Sequence, residues 1–210
     1  MFSKLKVYFT HEDEAVRDNR WIFVSMLVGA ILSLVAAFVL SVEAVDLAKN
    51  PNAQLTCSVN AIINCATVAK HPSAALLGFP NSFLGLVAEP IVITVAIAGL
   101  AGVKFPRKFM VVAQLCYTLG FMFAYYLLYM SMFVIQALCP WCLLVTLSTT
   151  FVFFSMTRYN VREDNLYLPV KLAKRAKACI KKDYDKLALG IVVAAVIAGI
   201  LLKYSSALFA

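Results

Sequence analysis

FMVVAQLCYTLGFMFAYYLLYMSMFVIQALCPWCLLVTLSTTFVFFSMT, residues 109–157, contains no Asp, Glu, Lys or Arg over its 49 positions. One helix crosses a bilayer with ~20 apolar residues. This stretch is therefore two spans joined by a short turn, and Pro140 marks the break. The reading gives spans of about Phe109–Met130 and Pro140–Thr157. Trp21–Val42 is uncharged and long enough for another span, and Phe83–Val103 is charged only at Glu89. Leu187–Leu202, between Lys186 and Lys203, is a shorter fifth span. With 62% hydrophobic and 14% charged residues among 210, the chain is expected to be an all-α polytopic membrane protein with no second folded domain.

The net charge of +8 would point to nucleic acid in a soluble protein, but here its distribution reports orientation. Residues 1–20 carry four Lys and Arg, 104–108 three and 158–186 nine; only Lys49, Lys70 and Lys203 fall elsewhere, so sixteen of nineteen lie on one side. That side is expected to be the cytoplasm. The organisation that follows is a cytoplasmic segment 1–20, a four-helix bundle 21–157 with an external loop 43–82, a basic cytoplasmic loop 158–186, and a fifth span with an external C-terminus, 187–210. The first span is longer than a signal-peptide core and lacks a small-x-small cleavage site, so it is read as retained. Lys171–Lys182 reads as a solvated loop, with an amphipathic helix on anionic lipid as the other option.

This topology sorts the six cysteines. Cys57 and Cys65 fall in the external loop, and Cys139 and Cys142 at the external mouth of the fourth span, all on the face where disulfides persist. Cys116 is expected as a packed hydrophobe in mid-span and Cys179 as a reduced cytoplasmic thiol. Static disulfide staples and a four-cysteine zinc site are alternatives for the outer four. The x7 spacing is unusual for zinc, and a Cys-x-x-Cys loop is too short to stabilise much by closing a ring. Its value is chemical. In Cys139-Pro140-Trp141-Cys142, Pro140 suits the first helical position. Cys139 becomes the N-cap, where terminal N–H groups favour thiolate. Cys142 lies one turn inward, ~4.5 Å along the axis. The expectation is a relay in which external thiols reduce Cys57–Cys65, that pair reduces Cys139–Cys142, and the inner sulfur passes two electrons to a lipophilic acceptor.

Cys-x7-Cys after the first span, Phe79-Pro80-Asn81-Ser82-Phe83-Leu84-Gly85 opening the second, and Cys-x-x-Cys opening the fourth together resemble the vitamin K epoxide reductase (VKOR) family, over about Trp21–Thr157. The DsbB family does similar chemistry with its cysteine pairs in the reverse order. The resemblance implies a four-helix bundle around a quinone, menaquinone or ubiquinone, with an auxiliary fifth helix in a bacterial inner membrane. It implies a thioredoxin-like partner of the DsbA type, here a separate protein; from the cysteine spacing and the charge distribution, neither a metal nor nucleic acid is expected. By motif match Cys57 faces the partner, Cys65 shuttles to Cys139, Cys142 adjoins the quinone and Asn81 hydrogen-bonds its carbonyl. Where the family commonly has serine six residues after the second loop cysteine, this chain has His71, with Ser73 close by. Where vertebrate enzymes have tyrosine in the anticoagulant site, it has Thr146.

The remaining polar residues admit two readings each. Glu89, two turns into the second span, is either a proton donor to a reduced quinone or a glutamic acid hydrogen-bonded inside the bundle, for instance to carbonyls freed by Pro90. Asn81 and Ser82 can also be helix caps. The aromatic run Tyr117–Tyr129 suits packing and an interfacial belt, or flanks for a quinone. His11 and His71 are isolated. Three functions fit: a quinone-dependent thiol oxidoreductase that makes disulfides, a vitamin K epoxide or quinone reductase proper, or a non-enzymatic membrane scaffold stapled by disulfides.

Overall fold

A computed structural model of the chain describes residues 14–53, 55, 57–58 and 62–208; His11 and most of the N-terminal segment lie outside them. Helix α1 spans Glu14–Lys49, α2 Cys65–Lys70, α3 Ser82–Leu100, α4 Arg107–Tyr129, α5 Pro140–Arg162, α6 Val170–Lys181 and α7 Tyr184–Leu208. A 3-10 turn, Pro72–Ala75, follows α2, and a π-helical turn, Met130–Ile135, extends α4. Five of these helices are long and apolar enough to cross a membrane, so this is an all-α, multi-pass membrane protein.

The spans sit where hydropathy puts them, but their ends differ. α1 runs a turn or more past the apolar window at both ends. Its flanking charges, Arg17, Asp18 and Arg20 before and Glu43, Asp46 and Lys49 after, are tolerated in a helix that protrudes into polar layers. α3 stops at Leu100, short of Val103, because Gly102 takes a left-handed conformation, φ +87°. The uncharged 49-residue run breaks at Gln136, φ 58°, and Pro140 opens α5 at its first turn. The basic stretch is not a loop. α6 is helical, with no buried side chain; Leu172, Ala176, Cys179 and Ile180 recur at helical spacing along one face.

α1 is the central element, packed along α3 and α5, while α4 packs on α5 and α7 on α5. Apolar side chains gain little from leaving lipid for protein, so close backbone approach matters more. A Cβ on Gly85 of α3 would meet the Ala37 Cβ at 2.7 Å, and one on Gly29 of α1 would meet Val152 Cγ2 at 2.8 Å. Phe23, Met26, Met110, Val152 and Met156 fill the core between these helices.

At the basic end, polar groups lock the helices. Arg158 on α5 pairs with Asp18 of α1 at 2.9 Å, Asp185 of α7 at 2.8 Å and Asp183 at 3.0 Å. Arg162 also reaches Asp18, at 2.9 Å. Beneath them, Asn160 Nδ2 donates to Gln114 Oε1 at 2.9 Å, and Asn165 Nδ2 to Asn160 Oδ1 at 2.9 Å.

Candidate functional site

The four cysteines meet at the opposite end. Two backbone hydrogen bonds arrange this: Leu138 N–H donates to Ile62 O at 2.7 Å and Asn64 N–H donates to Leu138 O at 3.0 Å. Ile63 and Leu138 thus form an isolated parallel bridge. On each strand of that bridge a helix starts at once. Asn64 caps α2 by accepting from Thr67 N–H at 3.0 Å, so Cys65 is its first residue. Cys139 caps α5, its sulfur accepting from Cys142 N–H at 3.3 Å. The bridge brings two helix starts side by side, and with them two sulfurs.

Cys57 and Cys65 are joined in a disulfide, with Cα atoms 5.6 Å apart. Cys65 Sγ lies 3.2 Å from Cys139 Sγ. The sulfurs of Cys57, Cys65 and Cys139 all lie within 4.8 Å of one another and are all buried. Such a cluster also has the dimensions of a metal site, but the bonded pair has no thiolate to offer a metal. Cys139 sits below the usual thiol range. The main cause is the hydrogen bond from the Cys142 thiol, followed by burial acting against it and by the Cys142 and Trp141 amides. A depressed thiol beside a disulfide sulfur is the arrangement that thiol–disulfide exchange needs.

Below the sulfurs lies a cavity of about 600 Å³ between α1, α3, α4 and α5, with mostly apolar walls. Cys65, Cys139 and Cys142 line its upper end, Asn81 its side, and Glu89, Tyr117 and Thr146 its depth. The volume lies within the ordinary range for small-molecule sites, roughly 300–1,000 Å³.

Asn81 is not a side-chain cap. Its own backbone is already helical, φ −58° and ψ −25°, and no capping bond forms. Instead Nδ2 donates to Ser73 O at 2.7 Å and Oδ1 accepts from Leu76 N–H at 3.3 Å. Among the described residues the second amide hydrogen is left for the cavity. Ser73, 5% exposed, also lines the cavity. His71 lies behind it: Nδ1 accepts from Ser73 N–H at 3.2 Å and contacts Ser73 Oγ at 2.8 Å. Of the two residues near the departed family serine, Ser73 faces the cavity and His71 positions it.

Glu89, 4% exposed, does not donate to carbonyls near Pro90. Oε1 accepts from Ser33 Oγ at 2.8 Å and from Tyr117 OH at 3.4 Å, while Oε2 has no partner among the described residues. Thr146 Oγ1 is tied to Cys142 O at 3.0 Å. Cys116 is exposed and lines the cavity instead of being packed, and Cys179 is exposed on α6. Two features have no local signature in the sequence: the Ile63–Leu138 bridge, and Glu43, which is 6% exposed with its carboxylate oxygens 3.8 and 3.9 Å from Cys57 Sγ.

No curated protein matches the chain in a sequence comparison. A family model, described as the vitamin K epoxide reductase family, matches residues 24–157. That region covers most of the four bundle helices and includes Cys57, Cys65, Cys139 and Cys142. With most of its length matched and its sulfurs gathered at one mouth of a helical membrane bundle, the chain belongs to the vitamin K epoxide reductase family, whose members are membrane oxidoreductases.

Proposed function

We propose that this protein is a quinone-dependent thiol–disulfide oxidoreductase that reoxidises a thioredoxin-like protein of the DsbA type. One observation carries the reading: Cys65 is bonded to Cys57 and lies 3.2 Å from Cys139. A single sulfur is thus within exchange distance of both pairs. A partner thiolate attacks Cys57, the Cys57–Cys65 bond breaks and Cys65 leaves with the electron pair. Cys65 then attacks Cys139 of an inner disulfide, and Cys142 leaves with the pair at the head of the cavity.

A quinone, menaquinone or ubiquinone, supplies a lipid-soluble acceptor of two electrons and two protons. The cavity's chemistry suits one: apolar walls, a spare amide hydrogen on Asn81, and the unpartnered Glu89 Oε2. In this reading Asn81 donates to a quinone oxygen, held in place by Ser73. Glu89 holds a proton deep in the cavity, oriented by Ser33 and Tyr117. Thr146 stands one turn below Cys142, its hydroxyl donating to the Cys142 carbonyl.

The charge distribution supports a bacterial inner membrane orientation with the N-terminus in the cytoplasm and the sulfurs outside. The test is reconstitution in liposomes with a reduced DsbA-type protein and a short-chain quinone. Dithiol loss matched one for one by quinone reduction is expected; dithiol oxidation indifferent to the quinone would overturn the reading. A parallel arm with vitamin K epoxide asks whether the family's namesake substrate is used instead.

A further inference from the structure

Glu43 belongs to neither motif, yet it is built into the exchange site. It lies on α1 beyond the apolar window, 6% exposed. Both carboxylate oxygens face Cys57 Sγ, at 3.8 and 3.9 Å. Cys57 carries no proton while bonded to Cys65, so this contact is not a hydrogen bond in the oxidised loop. It becomes one when Cys57 is a thiol. Leu40, Leu47, Leu55 and Trp141 pack around the sulfurs, which keeps bulk water from taking over the proton's transfer.

We propose that Glu43 is the proton acceptor for Cys57, the step that lets the loop disulfide re-form. The inference rests on the relay proposed above. After Cys65 has attacked Cys139, a Cys65–Cys139 bond bridges the two pairs. Cys57 must then attack Cys65: the Cys57–Cys65 bond forms, the Cys65–Cys139 bond breaks, and Cys139 leaves with the electron pair. Only a thiolate makes that attack. The Glu43 carboxylate takes the Cys57 proton and becomes a neutral acid. Two electrons pass from the loop pair to the inner pair. The two protons lost by the loop thiols are regained by the inner ones, the Cys57 proton reaching Cys139 from Glu43.

Charge favours the same sequence. A negative Glu43 works against a thiolate on Cys139. Once Glu43 is protonated that opposition is gone, at the moment Cys139 has to leave. The pocket therefore holds one negative charge throughout, passed from carboxylate to Cys57 to Cys139. Among the described residues, the titratable groups that Glu43 contacts or acts on include Cys57, Cys139 and Cys142; Asp46 and Lys49, on its own helix, are exposed.

The experiment uses the full chain in detergent, with dithiothreitol as donor and a short-chain benzoquinone as acceptor, quenched in acid and alkylated for mass spectrometry. In Glu43→Gln, transfer from the Cys65–Cys139 bridge should slow about a hundredfold near pH 6.5, where an ordinary thiol is ~1% ionised. The bridged species should accumulate, and the rate should climb about tenfold per pH unit toward the thiol pKa of ~8.5. Glu43→Asp, which keeps the charge, should be slower than the parent but keep its flat pH profile. A Gln variant with the parental rate and profile overturns the proposal, as does an Asp variant with the steep profile. Cys57→Ser must trap the Cys65–Cys139 bridge whatever Glu43 does. Its absence would overturn the relay itself, which separates that failure from failure of Glu43.

Discussion

The two ends of the bundle are built on opposite principles. At the basic end, Arg158 and Arg162 tie α1, α5 and α7 together through Asp18, Asp183 and Asp185, and the Gln114–Asn160–Asn165 chain satisfies the polar groups beneath. At the cysteine end the connections are one backbone bridge, a disulfide and a non-bonded sulfur contact above a cavity. One end is fixed by charge pairs that have a single good arrangement. The other is joined by bonds whose chemistry is to exchange. Stability and reactivity thus lie at opposite ends of the bundle, so that the sulfur pairs can rearrange without loosening it.

The sharpest way to break that separation is at the sulfurs. Cys139→Ala is expected to reduce quinone-coupled dithiol oxidation to background, with thermal unfolding close to the parent's; retained turnover would refute the relay. Cys142→Ala should also stop turnover, but by trapping: mass spectrometry of the non-reduced protein should find Cys65 bonded to Cys139. A Cys57–Cys139 bond instead would reverse the roles within the loop.

At the basic end the expectation inverts. Arg158→Ala removes the main partner of the half-buried Asp185 and leaves Asp18 to Arg162 alone, and unfolding should be easier by about 2 kcal/mol, read as a lower melting temperature, while turnover per folded molecule is unchanged. Asn81→Ala lies between the two regimes. Quinone use should weaken by about 1–3 kcal/mol in kcat/KM, with exchange between the cysteine pairs intact. Some stability should also go, because Asn81 holds Ser73 and Leu76. A stability loss with unchanged quinone kinetics would make Asn81 a fastener only.

The smallest effect expected is with pH. Asp183 is held below the ordinary carboxylate range, chiefly by its hydrogen bond from Lys186, with Arg158 adding to it. A depressed folded-state value means stability present above the unfolded pKa, ~3.9, and lost as pH falls through the lower folded value. The site is mostly exposed, so solvent screening limits this to roughly a few tenths of a kcal/mol. An acid titration of melting temperature should therefore show Asp183→Asn nearly matching the parent below about pH 3.

What was legible in the sequence was whatever repeats or caps locally. Four apolar runs, one of them long enough for two helices, gave five spans, and Pro140 after Cys139 gave the capped start of α5, because apolar length and a proline at a first turn act within a few residues. The ends of α1 were hidden because Asp18 and Glu43 look like span boundaries until their partners 140 and 14 residues away are known. The Ile63–Leu138 bridge, the turn of Cys116 toward the cavity and the engagement of Asn81 with Ser73 are likewise products of packing. The resemblance placed the four cysteines in order, but the contact between Cys65 and Cys139 spans 74 residues, and only tertiary structure states it.

α1 is 36 residues long, ~54 Å at the helical rise, against ~30 Å of hydrocarbon. Its surplus is a rigid post. Glu43 stands on that post, and Leu40 and Leu47 on either side of it pack against the sulfurs, so the height of the exchange site is set by a helix and not by slack in the loop. A bilayer that thickens or thins will tilt the bundle as one body. Sulfurs, carboxylate and cavity tilt with it, and their mutual spacing should be indifferent to lipid chain length. Only the reach to a partner in the water above would change. Turnover with a small soluble dithiol should then be flat across bilayers of different thickness, while turnover with a protein donor has an optimum.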